Sequence, residues 1–235
     1  MRAKILLAVL TLLFAVPGTA QAGQGIVGGQ NATENYPFYV KILDGQGRFF
    51  CGGSLVHAKW VVTAQHCARE NPFHVLVGGS TLTSGEKIAV ATYDFTDPDF
   101  AIIGLASAST QGTPIPITDN PLTQGTPVRM IGHGQTCPTP GGCGLPQTLQ
   151  ELDTTLVDGC QPMPGEKELC VGDKSGRGAC YGDSGGPLVV KANGRWELAG
   201  ATSGSGGPSS TCARYPSIYE KVPYFKAWIQ QHIGS

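Results

Sequence analysis

Charge is what this sequence has least of. Asp, Glu, Lys and Arg make up 14% of its 235 residues, against about 25% in an average soluble domain. The formal net charge is −1, and no basic stripe or cluster occurs, which removes nucleic acid from the expected partners. Long apolar runs are missing too. The longest, residues 5–16, falls short of the ~20 residues that a membrane-crossing helix needs, so a membrane-embedded protein is excluded. No CxxC pair is present, which argues against a zinc ribbon or finger as the reason for the eight cysteines. Helical periodicity is nearly absent, and no internal repeat is evident. Disorder is excluded in turn, because 40% of the residues are hydrophobic.

The first residues read as an export signal. Met1-Arg2-Ala3-Lys4 is a short positive start, residues 5–16 form the apolar stretch, and Ala20-Gln21-Ala22 supplies small residues for cleavage. Residues 1–22 are therefore expected to leave, giving a secreted, extracellular protein with no membrane contact after processing. Arg2 and Lys4 depart with them, which takes the formal charge from −1 to −3. All eight cysteines follow the signal: Cys51, Cys67, Cys137, Cys143, Cys160, Cys170, Cys180 and Cys212. An even count in an exported chain reads as four disulfides, although eight cysteines alone allow about 105 pairings.

The rest is rich in punctuation, with 34 glycines and 17 prolines spread without a collagen period. Short β-prone runs recur between turn signals at 38–43, 49–56, 60–64, 73–77, 87–93 and 100–105. A proline-studded segment, 111–121, then suits an extended crossing between two units. The rhythm resumes at 128–132, 148–157, 168–172, 187–190 and 217–222, with Asn193-Gly194 marking a two-residue hairpin. Only the C-terminus looks helical, with Phe225, Trp228, Ile229 and Ile233 on one face. The expected fold is all-β.

Three segments carry chemistry. Nucleophilic acyl transfer requires an activated nucleophile, a base, a group that orients the base, and donors for the developing oxyanion. Gly182-Asp183-Ser184-Gly185-Gly186-Pro187 can supply the nucleophile, and the amides of Gly182 and Ser184 can supply the donors. His66 stands beside Cys67 after the apolar run 60–64, where a disulfide would fix its loop. Asp99 opens the apolar run 100–105, a place suited to orienting a base.

With Ile26-Val27-Gly28-Gly29 added, these segments resemble the chymotrypsin-fold, trypsin-like serine endopeptidases. The motifs fall in the family's order, His then Asp then Ser, and the resemblance runs from Ile26 to the C-terminus. It implies two six-stranded antiparallel β-barrels, about 26–112 and 122–222, and a short helix near 223–233. It makes Ser184 the nucleophile, His66 the base and then acid, and Asp99 the group that holds the His66 tautomer. Ser203 matches the serine that hydrogen-bonds the buried aspartate. The resemblance pairs Cys51 with Cys67, Cys160 with Cys170 and Cys180 with Cys212, leaving Cys137 and Cys143 for a local bridge.

The resemblance also implies an activation step. The mature chain would begin at Ile26, whose free ammonium pairs with Asp183. Signal cleavage after Ala22 leaves Gly23-Gln24-Gly25 as a three-residue propeptide of a zymogen. Gly25 is neither Lys nor Arg, so removal by another peptidase is expected rather than self-activation.

The same resemblance places Gly178 at the base of the primary pocket, followed by Ala179, with Ser217 on the wall. No carboxylate stands there to select Lys or Arg, so cleavage after apolar or aromatic residues is expected. Arg177 adjoins the base: turned inward it would favour acidic side chains, but burying an unpaired guanidinium is costly. Where the family commonly has Ser-Trp-Gly, this chain reads Ser203-Gly204-Ser205, so the aromatic wall is missing, while Tyr181 can cover the pocket mouth. No cofactor or metal is expected, since only 32 positions separate Cys67 from Asp99, too few for the family's calcium loop. Asn31-Ala32-Thr33 is a glycosylation sequon.

The partners expected are protein or peptide substrates and proteinaceous protease inhibitors, with the chain acting as a monomer. The alternative is a proteolytically silent homologue that binds a partner through the same fold. An unrelated disulfide-rich β-module such as a lectin accounts for neither the motif order nor residues 26–29.

Overall fold

The computed structural model describes residues 26–172 and 174–234. The signal peptide, 1–22, and the propeptide, 23–25, lie outside the described residues. Thirteen strands follow in order: β1 (Gln30–Asn31), β2 (Tyr39–Leu43), β3 (Phe49–His57), β4 (Trp60–Ala64), β5 (His74–Val77), β6 (Glu86–Thr96), β7 (Phe100–Leu105), β8 (Pro127–Gly132), β9 (Gln150–Thr155), β10 (Glu168–Val171), β11 (Pro187–Ala192), β12 (Arg195–Ser205) and β13 (Ser217–Lys221). A five-residue helix, α1 (Gln65–Arg69), interrupts the first group, and a 3-10 turn (Val222–Phe225) leads into α2 (Lys226–Ile233) at the end. Among the described residues no helix is long and apolar enough to cross a membrane.

The first unit is a closed six-stranded antiparallel barrel in the order β2-β3-β4-β7-β6-β5. Its interior is built from the branched and aromatic residues of those runs, among them Tyr39, Ile42, Leu55, Val61, Val62, Phe100 and Ile102, all fully buried. The second unit is a seven-stranded antiparallel sheet, β1-β9-β8-β11-β12-β13-β10. One of the two expected barrels is thus closed all round; the other unit is a sheet and not a closed barrel. The end of β9 reaches β10 only through a single bridge, Leu156 to Val171, with flanking bonds from Val157 N to Cys170 O at 2.9 Å and from Gly172 N to Thr155 O at 3.0 Å. The two-residue β1 joins this second sheet although it precedes the first barrel in the chain, pairing Gln30 with Glu151.

The hairpin at Asn193-Gly194 forms as the dipeptide requires. Asn193 and Gly194 both have positive φ, 50° and 81°, the pattern of a type I′ turn, and Ala192 pairs with Arg195 across it. The C-terminal segment binds the two units together. Phe225 stacks on Phe100 of β7, ring centroids 4.2 Å apart, and Trp228 meets the same ring edge-on at 5.8 Å. One apolar cluster therefore runs from the first barrel through Ile131, Val189 and Leu198 to Ile229.

A buried carboxylate fastens the segment that follows β1. Glu151, on β9, is 1% exposed and accepts hydrogen bonds from Gln30 Nε2, Thr33 N, Thr33 Oγ1 and Tyr36 Oη. Arg129 Nη1 stands 3.4 Å from it. Thr33 of the sequon is thus engaged, and Asn31 accepts from Gln150 at 2.7 Å. Burial opposes ionisation of Glu151, but the Tyr36, Thr33 and Gln30 bonds outweigh it and hold the carboxyl below its ordinary value. A carboxyl lowered in the folded state stabilises above its unfolded pKa and ceases to do so as pH falls through the folded one. Glu151→Ala is expected to cost about 3 kcal/mol at neutral pH, read from urea unfolding, with the difference from the native chain shrinking as pH falls below about 4.5.

Candidate active site

The site lies where the first barrel meets the second sheet. Helix α1 begins directly after the buried strand β4, and Asp99 receives its first amides: Gln65 N donates to the Asp99 carbonyl at 2.9 Å and His66 N to Asp99 Oδ1 at 2.9 Å. A carboxylate at the start of a helix is favourably placed for its free amides and dipole. The same carboxylate then meets the ring, with His66 Nδ1 2.9 Å from Asp99 Oδ2. Ser203 Oγ, on β12, donates to Asp99 Oδ2 at 2.7 Å. His66 is half-exposed and Asp99 largely covered. The Cys51–Cys67 disulfide ties β3 to α1 beside His66. Its sulfurs lie within 4.8 Å of a histidine nitrogen, but disulfide sulfurs offer no thiolate to a metal.

Ser184 reaches this region on a glycine loop. Gly52 N, on β3, donates to the Ser184 carbonyl at 2.7 Å, and Gly185 N to Thr202 O at 2.7 Å. Gly185 has φ +73°, and a Cβ there would overlap Thr63 Oγ1 on β4, so only glycine lets the loop press against the barrel. Ser184 Oγ makes no hydrogen bond to the His66 ring; His66, Asp99 and Ser203 form the bonded set, and Ser184 lines the adjoining cavity. Among the described residues the amides of Gly182 and Ser184 donate to no protein acceptor, which leaves both donors open. Gly182 has φ +97°.

Asp183 points the other way, into the protein, and is 2% exposed. Gly134 N donates to its Oδ1 at 2.8 Å and Cys180 N to its Oδ2 at 2.9 Å. Burial pushes its pKa up to about 7 against those two amide bonds, and among the described residues no cation pairs with it. Ile26 is buried in the apolar cluster of the second sheet, and Val27 bridges Gly178. Sequence reasoning missed Gly132 and Gly134. A Cβ at either would overlap the Asp183 carboxylate, and the Gly-His-Gly run at the end of β8 was the available signal.

The cavity beside Ser184 measures about 180 Å³ and is lined in part by Ala179, Tyr181, Ser203, Gly204, Ser205 and Ser217. No charged side chain is among its walls. Gly178 sits behind them: a Cβ there would touch Ser217 Oγ and Ala213 Cβ at 3.6 and 3.7 Å. The Cys180–Cys212 disulfide braces this wall, and Tyr181 Oη donates to the Ser210 carbonyl at 3.0 Å across the mouth. Arg177 turns away from the cavity, its Nε reaching Gly28 O at 3.4 Å in a separate depression with Glu151 and Asp153. The remaining bridges are Cys137–Cys143 and Cys160–Cys170. Three of the four are the pairs that the resemblance implied, and the fourth joins the two cysteines it left over.

Comparison with known proteins agrees with this arrangement. A family model described as Trypsin matches residues 26–229. A protein described as "Tryptase", from Mus musculus, is 32% identical over 275 aligned positions, covering 98% of this chain and 98% of the relative. A match over that span shows the family, whose members act on protein or peptide substrates: the chain belongs to the trypsin family of serine proteases.

Proposed function

We propose that the chain is a secreted endopeptidase that cuts peptide bonds through a Ser184-His66-Asp99 triad and an acyl-enzyme. The observation that carries the reading is the Asp99 carboxylate, which holds both the His66 amide and the His66 ring while Ser203 holds it in turn. With Nδ1–H committed to Asp99, the His66 Nε2 is the nitrogen left to take the Ser184 proton. The Ser184–His66 contact is often long in a free enzyme and tightens when substrate binds. Attack by Oγ on the scissile carbonyl gives a tetrahedral oxyanion that the open amides of Gly182 and Ser184 receive, each such donor being worth ~10²–10³ in rate. His66 then returns the proton to the leaving amine, and water repeats the sequence on the acyl-enzyme.

Substrate alignment follows from the strand edges. Beyond Thr202, which still exchanges backbone bonds with Gly185 and Gly186, β12 pairs only with β13, through Gly204 to Ile218 and Ser205 to Ser217. Its other edge at residues 203–205 is free among the described residues, and an extended peptide can add there as a strand. The uncharged cavity then receives the side chain before the scissile bond, which favours apolar and aromatic residues. Proteinaceous inhibitors would enter the same cleft, and nothing in this scheme needs more than a monomer, a metal or a cofactor.

Activation follows from Asp183. A buried carboxylate raised to about 7 by burial is a liability at neutral pH until a cation reaches it. Cleavage before Ile26 creates an α-ammonium, and Ile26 already sits in the second sheet's core. Its pairing with Asp183 would fix the backbone that carries Gly182 and Ser184.

Three outcomes test this reading. Ser184→Ala should abolish turnover and fluorophosphonate labelling with an unchanged unfolding curve, and Asp99→Asn should fold but lose on the order of 10⁴ in kcat; native rates in either variant would refute the triad. N-terminal sequencing of the active species should begin at Ile26, and active protein beginning at Gly23 would refute the propeptide. A peptide library should be cut mainly after apolar or aromatic residues, and a preference for Lys or Arg would refute the pocket assignment.

A further inference from the structure

Strand β13 carries a second buried carboxyl group behind the histidine–aspartate pair. Glu220 is fully buried, and neither of its carboxyl oxygens has a hydrogen-bond partner. Its cross-strand neighbours are Ala201 on β12 and Glu168 on β10. The alanine offers nothing polar, and like charges directly opposite each other on a sheet repel. The charged groups that act on it are Glu168, Asp99 and Lys167, two carboxylates against one ammonium. Lys167 Nζ is turned to the Asp97 carbonyl at 3.5 Å. The Asp99 backbone amide favours the ionised form but reaches no hydrogen-bond geometry.

Such a position rejects a carboxylate and tolerates a neutral acid. Burial first, then Glu168 and Asp99, push Glu220 up to about 8. The ladder that buries it also carries the triad's support. Two residues beyond Ala201 on β12, Ser203 donates to Asp99 Oδ2, so Glu220 and the serine that holds Asp99 hang from the same pair of strands.

We propose that Glu220 is a positioning residue, carried as a neutral acid, whose ionisation places a second negative charge behind Asp99 and strengthens the hold of His66 on a proton. The inference rests on the triad reading above. The Glu220 proton leaves to solvent, and no other bond changes. Because His66 becomes an imidazolium in the transition state, a second negative charge behind Asp99 stabilises that state. A unit charge one layer of side chains away is worth on the order of fivefold in rate. The enzyme therefore gains a second, alkaline step in kcat.

The test is kcat against pH for the processed native enzyme and for Glu220→Gln, on one peptide substrate, taken as a ratio. Loss of the Ile26 ammonium at high pH is common to both proteins and cancels. The ratio should be flat near one in acid and climb about fivefold on the alkaline side. A ratio that stays flat overturns the proposal, as does a variant that is merely less stable with an unchanged profile. Should the variant fail to fold, the low-field resonance of the His66 Nδ1 proton is followed in the native protein. It should show a second inflection alkaline to that of the ring, and a single titration overturns the proposal. Failure of the underlying reading looks different: a processed native chain that neither turns over peptide nor takes a fluorophosphonate label sinks both. A labelled, active chain with a flat ratio sinks this inference alone.

Discussion

The Asp99 carboxylate accepts hydrogen bonds from His66 N, from the His66 ring and from Ser203 Oγ. The first two donors belong to the barrel and the third to the second sheet, so one side chain joins the two units at the place where they must agree. Rotation of Asp99 would free the start of α1, the ring of His66 and the bulged end of β12 together. The constraint is reinforced from behind by apolar packing, since Phe100, the next residue, is stacked on Phe225 and capped by Trp228. A carboxylate that accepts three donors and is followed by a clamped aromatic ring has little room to move, and preorganisation of that kind is what base catalysis by a surface histidine requires.

Three of the buried carboxyl groups of the second unit, Glu151, Asp183 and Glu220, illustrate how surroundings decide what an acidic residue does. Glu151 has four donors and a nearby guanidinium, and its ionised form is a structural rivet. Asp183 has two amides and no cation among the described residues, which leaves a vacancy for one positive charge. Glu220 has neither donor nor cation bonded to it. Burial opposes ionisation in all three; the donors of Glu151 outweigh it and hold that carboxyl below its ordinary value, whereas Asp183 and Glu220 are both pushed well above theirs. The number of donors and the nearness of a cation separate the first from the other two.

Much of this was legible in the sequence. The runs with β-branched and aromatic residues formed strands, and Asn193-Gly194 formed its turn, because local preference and burial point the same way there. What was missed lacked such agreement. Strand β1, Gln30–Asn31, is two exposed polar residues, held by backbone pairing and by Glu151, which no local pattern reveals. Strand β12 runs on past Leu198 through Gly200, Gly204 and Ser205; its glycines carry no strand preference of their own, and pairing with β11 as far as Ala201 and with β13 throughout makes it a strand. Helix α1 is too short to show a period and is held by Asp99, 33 residues away. Glu220 escaped notice because alternation along Ser217–Lys221 puts Tyr219 inside and its neighbour outside. Both faces of β13 are covered, so Tyr219 and Glu220 are both buried although they point to opposite sides of the sheet. For the site, the motifs singled out His66 and Asp99, which the structure bonds to each other, whereas the glycines that accommodate Asp183 depend on a contact between loops distant in the chain.

The lining of the cavity beside Ser184 carries no charged side chain, and the specificity proposed above rests on what that lining offers instead. Its walls carry several serines, but Ser205 Oγ is turned to the Gly207 carbonyl at 3.0 Å and Tyr181 Oη to the Ser210 carbonyl at 3.0 Å. These two groups are committed to the protein's own backbone and Ser203 Oγ to Asp99, which leaves the cavity fewer free donors than its composition suggests. Nothing lies within 4 Å of a Cβ placed on Gly204, so the aromatic wall is not replaced from elsewhere; the floor of the cleft is open at that point. On the specificity proposed above, selection would fall on what can fill about 180 Å³ without asking for a charge partner, because desolvating a lysine or arginine against such walls costs more than burying an aliphatic chain gains. The absent carboxylate at Gly178 and the outward turn of Arg177 would act in the same direction, since each removes a reason for a charged side chain to enter.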